Sequence, residues 1–353
     1  MSSVLALALL LHGSSVQAKP VELSRKFTQG EKLGYFARAQ FTEEQRQGSL
    51  QTFLPQDVEL SYRYSLTVQK VKADGIAEIL YQRPTMEITE GDTAETAAKK
   101  ITEKLDLKFQ LDVSPINEIV AQKDLNPKKP GKDKDKDTFM KSAFMRKVMK
   151  QGSQADQVAI GLLSSFVGDV QRMAFFVGPL DSGLDIAPKY PFDEVTVGST
   201  WKSTVGYSPQ KLKGQGDKQA VQRLDYTYTY MGLMKNKDGK DIHRVQAKVK
   251  LDTDLIDYAR QLVGGSQSSS FLKSVPLGFE GTIDFDLDPA NFHMLKASAE
   301  SKGYYSVMPK GTEQAIMENR FRGRTTVKLE GRNMVPVTGT TATKPPVKTK
   351  GGN

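Results

Sequence analysis

Leu60-Ser-Tyr-Arg-Tyr64 and Leu224-Asp-Tyr-Thr-Tyr228 carry one pattern written twice, and its reading decides the fold. In each copy Leu, Tyr and Tyr stand at alternate positions, so on a strand all three face one side. A turn sequence follows each copy: Lys72-Ala-Asp-Gly75 and Lys237-Asp-Gly239. The spacing agrees, with 164 positions from Tyr62 to Tyr226 and again from Asp74 to Asp238. The repetition predicts an internal duplication of a β-rich unit.

More of each unit can be matched on either side of the tyrosines. Phe27-Thr-Gln-Gly30-Glu-Lys-Leu33 corresponds to Val195-Thr-Val-Gly198-Ser-Thr-Trp201, a glycine turn leading into a strand. Trp201, the single tryptophan, stands where Leu33 stands and is expected in the core. Return strands follow the turns, over Ile76–Tyr81 and Ile242–Leu251. Phe109-Gln-Leu-Asp-Val-Ser-Pro115-Ile-Asn117 matches Ile283-Asp-Phe-Asp-Leu-Asp-Pro289-Ala-Asn291, with alternating apolar sites and a shared proline at a strand end. Between return strand and proline block, each unit is predicted to hold a helix. The first spans Thr93 to Leu105, with acids early and lysines late as the helix dipole favours. The second runs from Asp254 to Val263, before Gly264-Gly265.

The fold class expected is therefore α+β. Two β-β-β-α-β-β repeats form curved antiparallel or barrel-like sheets, with an apolar helix pair inserted between them. The divisions are 1–18 signal peptide, 19–121 first repeat, 122–137 charged linker, 138–178 helix pair, 179–332 second repeat and 333–353 tail. Val4–Leu11 is a short apolar run ending at Val16-Gln-Ala18, which suits signal-peptidase cleavage before Lys19. No later stretch reaches the length of a transmembrane helix. The protein is expected to be exported, either periplasmic or secreted.

In the helix pair, Met140, Phe144 and Val148 lie at i, i+4 and i+8. Leu162 and Phe166 belong to a second stripe at helical spacing that starts at Ala155. These five residues are the candidate ligand-binding set, because methionine and phenylalanine on one helix face can line a greasy cavity. Packing against the sheet is the plainer reading of the same stripe.

Composition narrows the chemistry. With no cysteine, disulfides, thiolate catalysis and cysteine-ligated metals are excluded. Three histidines exist, and His243 and His293 each fall in a predicted strand, where packing is the ordinary role. Asp284, Asp286 and Asp288 project from one strand face and could hold a hard cation, with an exposed polar face as the plainer reading. Tyr62, Tyr64, Tyr226 and Tyr228 could stack on a sugar or base, with cross-strand packing as the plainer reading. No hydrolase, phosphate-loop or metalloprotease motif is present. No catalytic residue, metal or cofactor is expected. The net charge is +9, and much of the lysine sits in 122–137 and 333–353; this could suit an anionic polymer or lipid surface, with solubility as the plainer reading. Basic and aromatic residues are not interleaved as in nucleic-acid-binding proteins.

Phe27 to Glu31, Val195 to Trp201 and Phe285-Asp286 together resemble a loose group of exported bacterial proteins of unknown function. The likeness covers roughly Phe27 to Leu329 and implies no activity. The content of sheet and apolar helices is also similar to periplasmic half-barrel lipid carriers. The leading expectation is a non-enzymatic exported protein that binds or carries an apolar or amphipathic ligand such as a lipid. The alternatives are an envelope-interaction protein that uses its basic segments, and an uncharacterised hydrolase.

Overall fold

The computed structural model describes residues 19–47, 52–92, 96–126, 188–207, 222–256, 272–315 and 317–332. Its first strands are β1 (Lys32–Gln47), β2 (Leu54–Val71), β3 (Ala77–Asp92), β4 (Thr96–Val113) and β5 (Ile119–Asp124). Then come β6 (Thr200–Tyr207), β7 (Gln222–Lys235), β8 (Asp241–Asp254), β9 (Leu272–Ser274) and β10 (Pro276–Leu287). β11 (Met294–Pro309) and β12 (Met317–Arg332) complete the set. Eleven of them form one antiparallel sheet in the order β5-β4-β3-β2-β1-β12-β11-β10-β8-β7-β6, and β9 pairs with β11 off that path. Two meanders thus lie side by side, joined where the first strand meets the last.

The alternation of the sequence gives the sheet its two faces. Leu33, Tyr35, Ala37, Ala39 and Phe41 of β1 are all buried, as are Leu60, Tyr62, Tyr64, Leu66 and Val68 of β2. Tyr226, Tyr228 and Tyr230 continue that face on β7, and Val245, Ala247 and Val249 on β8. The tyrosines stack across strands: Tyr35 on Tyr64 at 4.9 Å, Tyr64 on Tyr81 at 5.5 Å, and Trp201 on Tyr228 at 5.5 Å. Each stacked pair adds about 0.5–1.5 kcal/mol beyond the area it buries. The other face is polar. Arg38 forks onto Glu59 and Arg63 onto Glu330, exposed pairs worth at most about 1 kcal/mol each.

The four tight turns stand at one end of the sheet. Gly75 and Gly239 take φ values of +83° and +75°, which side chains of L-residues resist, so Asp-Gly is the natural choice there. The proline blocks form the other two turns, closed by Asn117 N–H to the Ser114 carbonyl at 2.9 Å and Phe292 N–H to the Asp288 carbonyl at 2.8 Å. β1, β3, β6, β8 and β11 end, and β2, β4, β7, β10 and β12 begin, at the opposite end.

Two expectations are corrected. The fold is not α+β. Among the described residues no helix forms an element, and the architecture is a single antiparallel sheet rather than sheets enclosing a helix pair. The helix predicted over Thr93–Leu105 is strand from Thr96 onward, paired from Glu90↔Lys99 through Thr85↔Lys104 with β3. Its Ala, Lys and Glu favour helix by only tenths of a kcal/mol each, and the long free edge of β3 offers a hydrogen bond at every second residue. Pro84 cannot donate to a ladder, and the register shifts there, between Arg83 and Thr85. The second predicted helix lies outside the described residues beyond Ile256.

Candidate functional site

Three features are built on this frame: a polar cluster at one end, a continuous apolar face, and a groove on the polar face.

The cluster begins with Lys19–Glu31, which crosses the end that carries the turns. Val21 exchanges two 2.9 Å hydrogen bonds with Val195, Arg25 N–H donates to the Pro115 carbonyl at 2.8 Å, and Lys26 N–H donates to the Asn291 carbonyl at 3.1 Å. The segment therefore ties both proline turns to the stretch around Val195 that leads into β6. Asn117 is fully buried at φ +62°. Its Nδ2 donates to the Pro188 carbonyl at 2.9 Å, and Arg25 Nη1 donates to its Oδ1 at 3.4 Å. Lys189 Nζ donates to the Asn117 carbonyl at 2.6 Å, and Tyr190 OH donates to the Phe292 carbonyl at 2.7 Å.

His293 stands next to this cluster. Its Nε2 lies 3.0 Å from the Lys26 carbonyl, which can only accept, so Nε2 carries the proton of a neutral ring. Burial, with help from the Arg25 charge, pushes the imidazole down to about 3. Glu31, 3.3 Å from the same nitrogen, is pushed up by burial, with Arg332 pulling the other way. Arg332 in turn donates to Asp288 at 2.5 Å. The arrangement locks three chain segments together, and it leaves Arg25 Nε and Nη2 and His293 Nδ1 buried without a hydrogen-bond partner.

The apolar face is buried along its length, with half-buried residues at both ends. Val71, Ile119 and Leu329 are half-buried near the turns, and Met86, Leu251 and Met317 at the opposite end. Ala77, Ile79 and Tyr81 near the turns and Val275, Leu277 and Val307 at the opposite end are wholly buried. At that opposite end, Tyr305 OH donates to the Glu43 carboxylate at 3.2 Å, and the Asn319 amide touches both groups. Burial drives the Tyr305 phenol well up.

On the polar face, a groove of about 630 Å³ lies across β8, β10, β11 and β12. Lys250, Asp252, Glu280, Lys302, Tyr304 and Arg320 face it, around Gly278. Lys302 pairs with Glu280 at 2.8 Å.

The candidates named from sequence fall as follows. Met140, Phe144, Val148, Leu162 and Phe166 lie outside the described residues, as do 1–18, 127–137 of the charged linker and the tail from 333; Gln122–Asp124, read as linker, belong to β5. Tyr62, Tyr64, Tyr226 and Tyr228 are core, not a platform. Asp284 accepts from Gln246 at 2.9 Å, Asp286 pairs with Arg244 at 2.7 Å, and Asp288 holds Arg332, so each carboxylate is engaged. Among the described residues no group of three acids or histidines is placed to hold a metal ion. No helix among them is long and apolar enough to cross a membrane. His243 sits in β8, its Nδ1 2.6 Å from Tyr230 OH, and His293 sits in a turn rather than a strand. Trp201 is half-buried against the core, its Nε1 donating to the Lys189 carbonyl at 2.8 Å.

The groove was not anticipated, although Gly278 and Gly303 inside strand patterns are the usual mark of a close approach. Arg25, Asn117 and Lys189 carried no local signal, because what joins them is contact across more than 70 positions.

No family model matches this chain, and no curated protein matches it. Similar solved structures include lipovitellin, at a TM-score of 0.37 and 8% identity, over 89% of this chain. This chain spans only 26% of the lipovitellin chain. A putative outer membrane lipoprotein-sorting protein domain from Vibrio parahaemolyticus gives 0.15 and 8%, over 87% of this chain and 86% of that one. A DUF1329 family protein from Desulfovibrio piger gives 0.15 and 8%, over 85% and 86%. Likenesses of this size carry no argument about what the chain does.

Proposed function

We propose that this chain is an exported, non-enzymatic carrier that holds an apolar or amphipathic ligand, such as a lipid, against the inner face of its sheet. The observation behind this reading is the continuous apolar inner face, which runs across the strands of both meanders and is crossed at the turn end by Lys19–Glu31. An inner face of this kind can serve as a trough for a chain-like apolar body. Adaptable methionines such as half-buried Met86 and Met317 suit a ligand of variable shape. Burying such a body is favourable by about 25 cal/mol per Å² of apolar area. Export rests on the Val4–Ala18 sequence, and Met140, Phe144, Val148, Leu162 and Phe166 are proposed as further contacts.

The test is native mass spectrometry and solvent extraction of protein purified from its exported fraction. The expected result is a co-purifying lipid-like species that is lost in Leu251→Lys/Met317→Lys protein whose circular dichroism is unchanged. A ligand-free mass for the natural protein, with nothing extractable, overturns the reading.

A further inference from the structure

The groove on the polar face is independent of the buried trough. Strand alternation assigns its walls. Leu251, Phe279, Tyr305 and Asn319 point to the core, so the solvent side is formed by Lys250, Asp252, Glu280, Lys302, Tyr304 and Arg320. These are cross-strand neighbours: Lys250 is opposite Glu280, which is opposite Lys302, and Asp252 is opposite Gly278, which is opposite Tyr304, itself opposite Arg320.

Gly278 explains why the groove exists. A Cβ at that position would come 2.8 Å from Tyr304 Cζ and 3.1 Å from Cδ1, so the ring lies directly over the glycine. Aromatic cover of a strand glycine is a recurrent way of completing a sheet. It also fixes the ring, while 49% of the residue remains open to solvent. An exposed tyrosine is normally free to rotate; this one is seated.

The surroundings select the chemistry. Cations and carboxylates alternate across the strands, and the closest pair, Lys302 with Glu280, neutralises itself. With Glu318 also lining the groove, three cations face three carboxylates, so an anion or a cation finds no net attraction there. Its polar rim also costs an apolar body the desolvation of charged groups. What remains favourable is a neutral ring that presents C–H bonds to an aromatic face and hydroxyls to both donors and acceptors.

We propose that the Gly278–Tyr304 groove is a saccharide-binding site, in which a neutral pyranose stacks on Tyr304 and is hydrogen-bonded by Lys250, Asp252 and Glu280.

Saturation-transfer NMR of the full chain with cellohexaose and with chitohexaose tests this. The expected result is transfer to ring protons of at least one of the two, retained in Tyr304→Phe and reduced at least fivefold in Tyr304→Ala. Gly278→Ala, which keeps the tyrosine but removes its seat, is expected to weaken binding similarly. Amide spectra of each variant check the fold. No transfer from either sugar, or equal transfer in a folded Tyr304→Ala protein, overturns the proposal. Neither result bears on ligand carriage in the trough, which is read by extraction.

Discussion

Asn117 Nδ2 donates to the carbonyl of Pro188 at 2.9 Å, joining two points 71 residues apart inside the sealed end of the sheet. Asn117 also holds a left-handed backbone, which asparagine tolerates better than most residues. Asn117→Ala removes both side-chain bonds and leaves a strained alanine, so it should cost about 2–4 kcal/mol in urea unfolding. Asn117→Gly relaxes the backbone and should recover about 1 kcal/mol of that. Equal losses in the two variants would show that backbone conformation contributes nothing there.

His293 predicts an acid limit. Its folded value is about 3, below the ordinary histidine value of the unfolded chain, so the unfolded state binds the proton first. Its contribution is complete above about pH 6.5 and declines as pH falls toward 3. His293→Gln keeps a donor for the Lys26 carbonyl and cannot titrate. Urea midpoints measured between pH 7 and 4 should fall less steeply in the variant than in the natural protein.

Gly303 should refuse any side chain. A Cβ there would collide with the Gly278 carbonyl oxygen and come within 2.8 Å of Phe321 Cε2. The carbonyl belongs to a paired strand and cannot move aside, so Gly303→Ala should cost about 3 kcal/mol. Gly30→Ala meets nothing within 4 Å and pays only for its φ of +82°, about 1 kcal/mol. Thermal unfolding of the two variants should rank them in that order.

Buried tyrosines set an alkaline limit. Burial pushes Tyr35 up to about 12, while the same residue in an unfolded chain ionises near 10. Its stabilising contribution is present below about pH 10 and is lost as pH rises toward 12. Tyr190 and Tyr228 shift upward for the same reason. Absorbance at the tyrosinate band should therefore rise in two stages, the second coinciding with loss of the near-ultraviolet dichroism of the folded state.

The strands that could be read from sequence were those whose side chains alternate and whose turns contain Asp-Gly or proline. Tyr62, Tyr64, Tyr226 and Tyr228 announced their buried face in this way, and Gly75 and Gly239 announced the turns. The segment Thr96–Leu105 could not be read, because its composition favours helix weakly and its strand state depends on β3, a partner no local window contains. The same holds for the sealed end. Arg25 and Asn117 are ordinary polar residues until the fold brings them together. The groove was partly legible through its glycines, but Tyr304 gains its role only from the strand opposite.

The pairing of β1 with β12 places Leu33 against Arg332, almost the full span of the described chain apart. The sheet therefore cannot be completed until its last strand is available. A chain still emerging, or one clipped before β12, would carry two half-sheets with bare inner edges, each a template for a neighbouring molecule. Assembly of the two halves, rather than formation of either hairpin set, should then be the slow and aggregation-sensitive step in producing this protein.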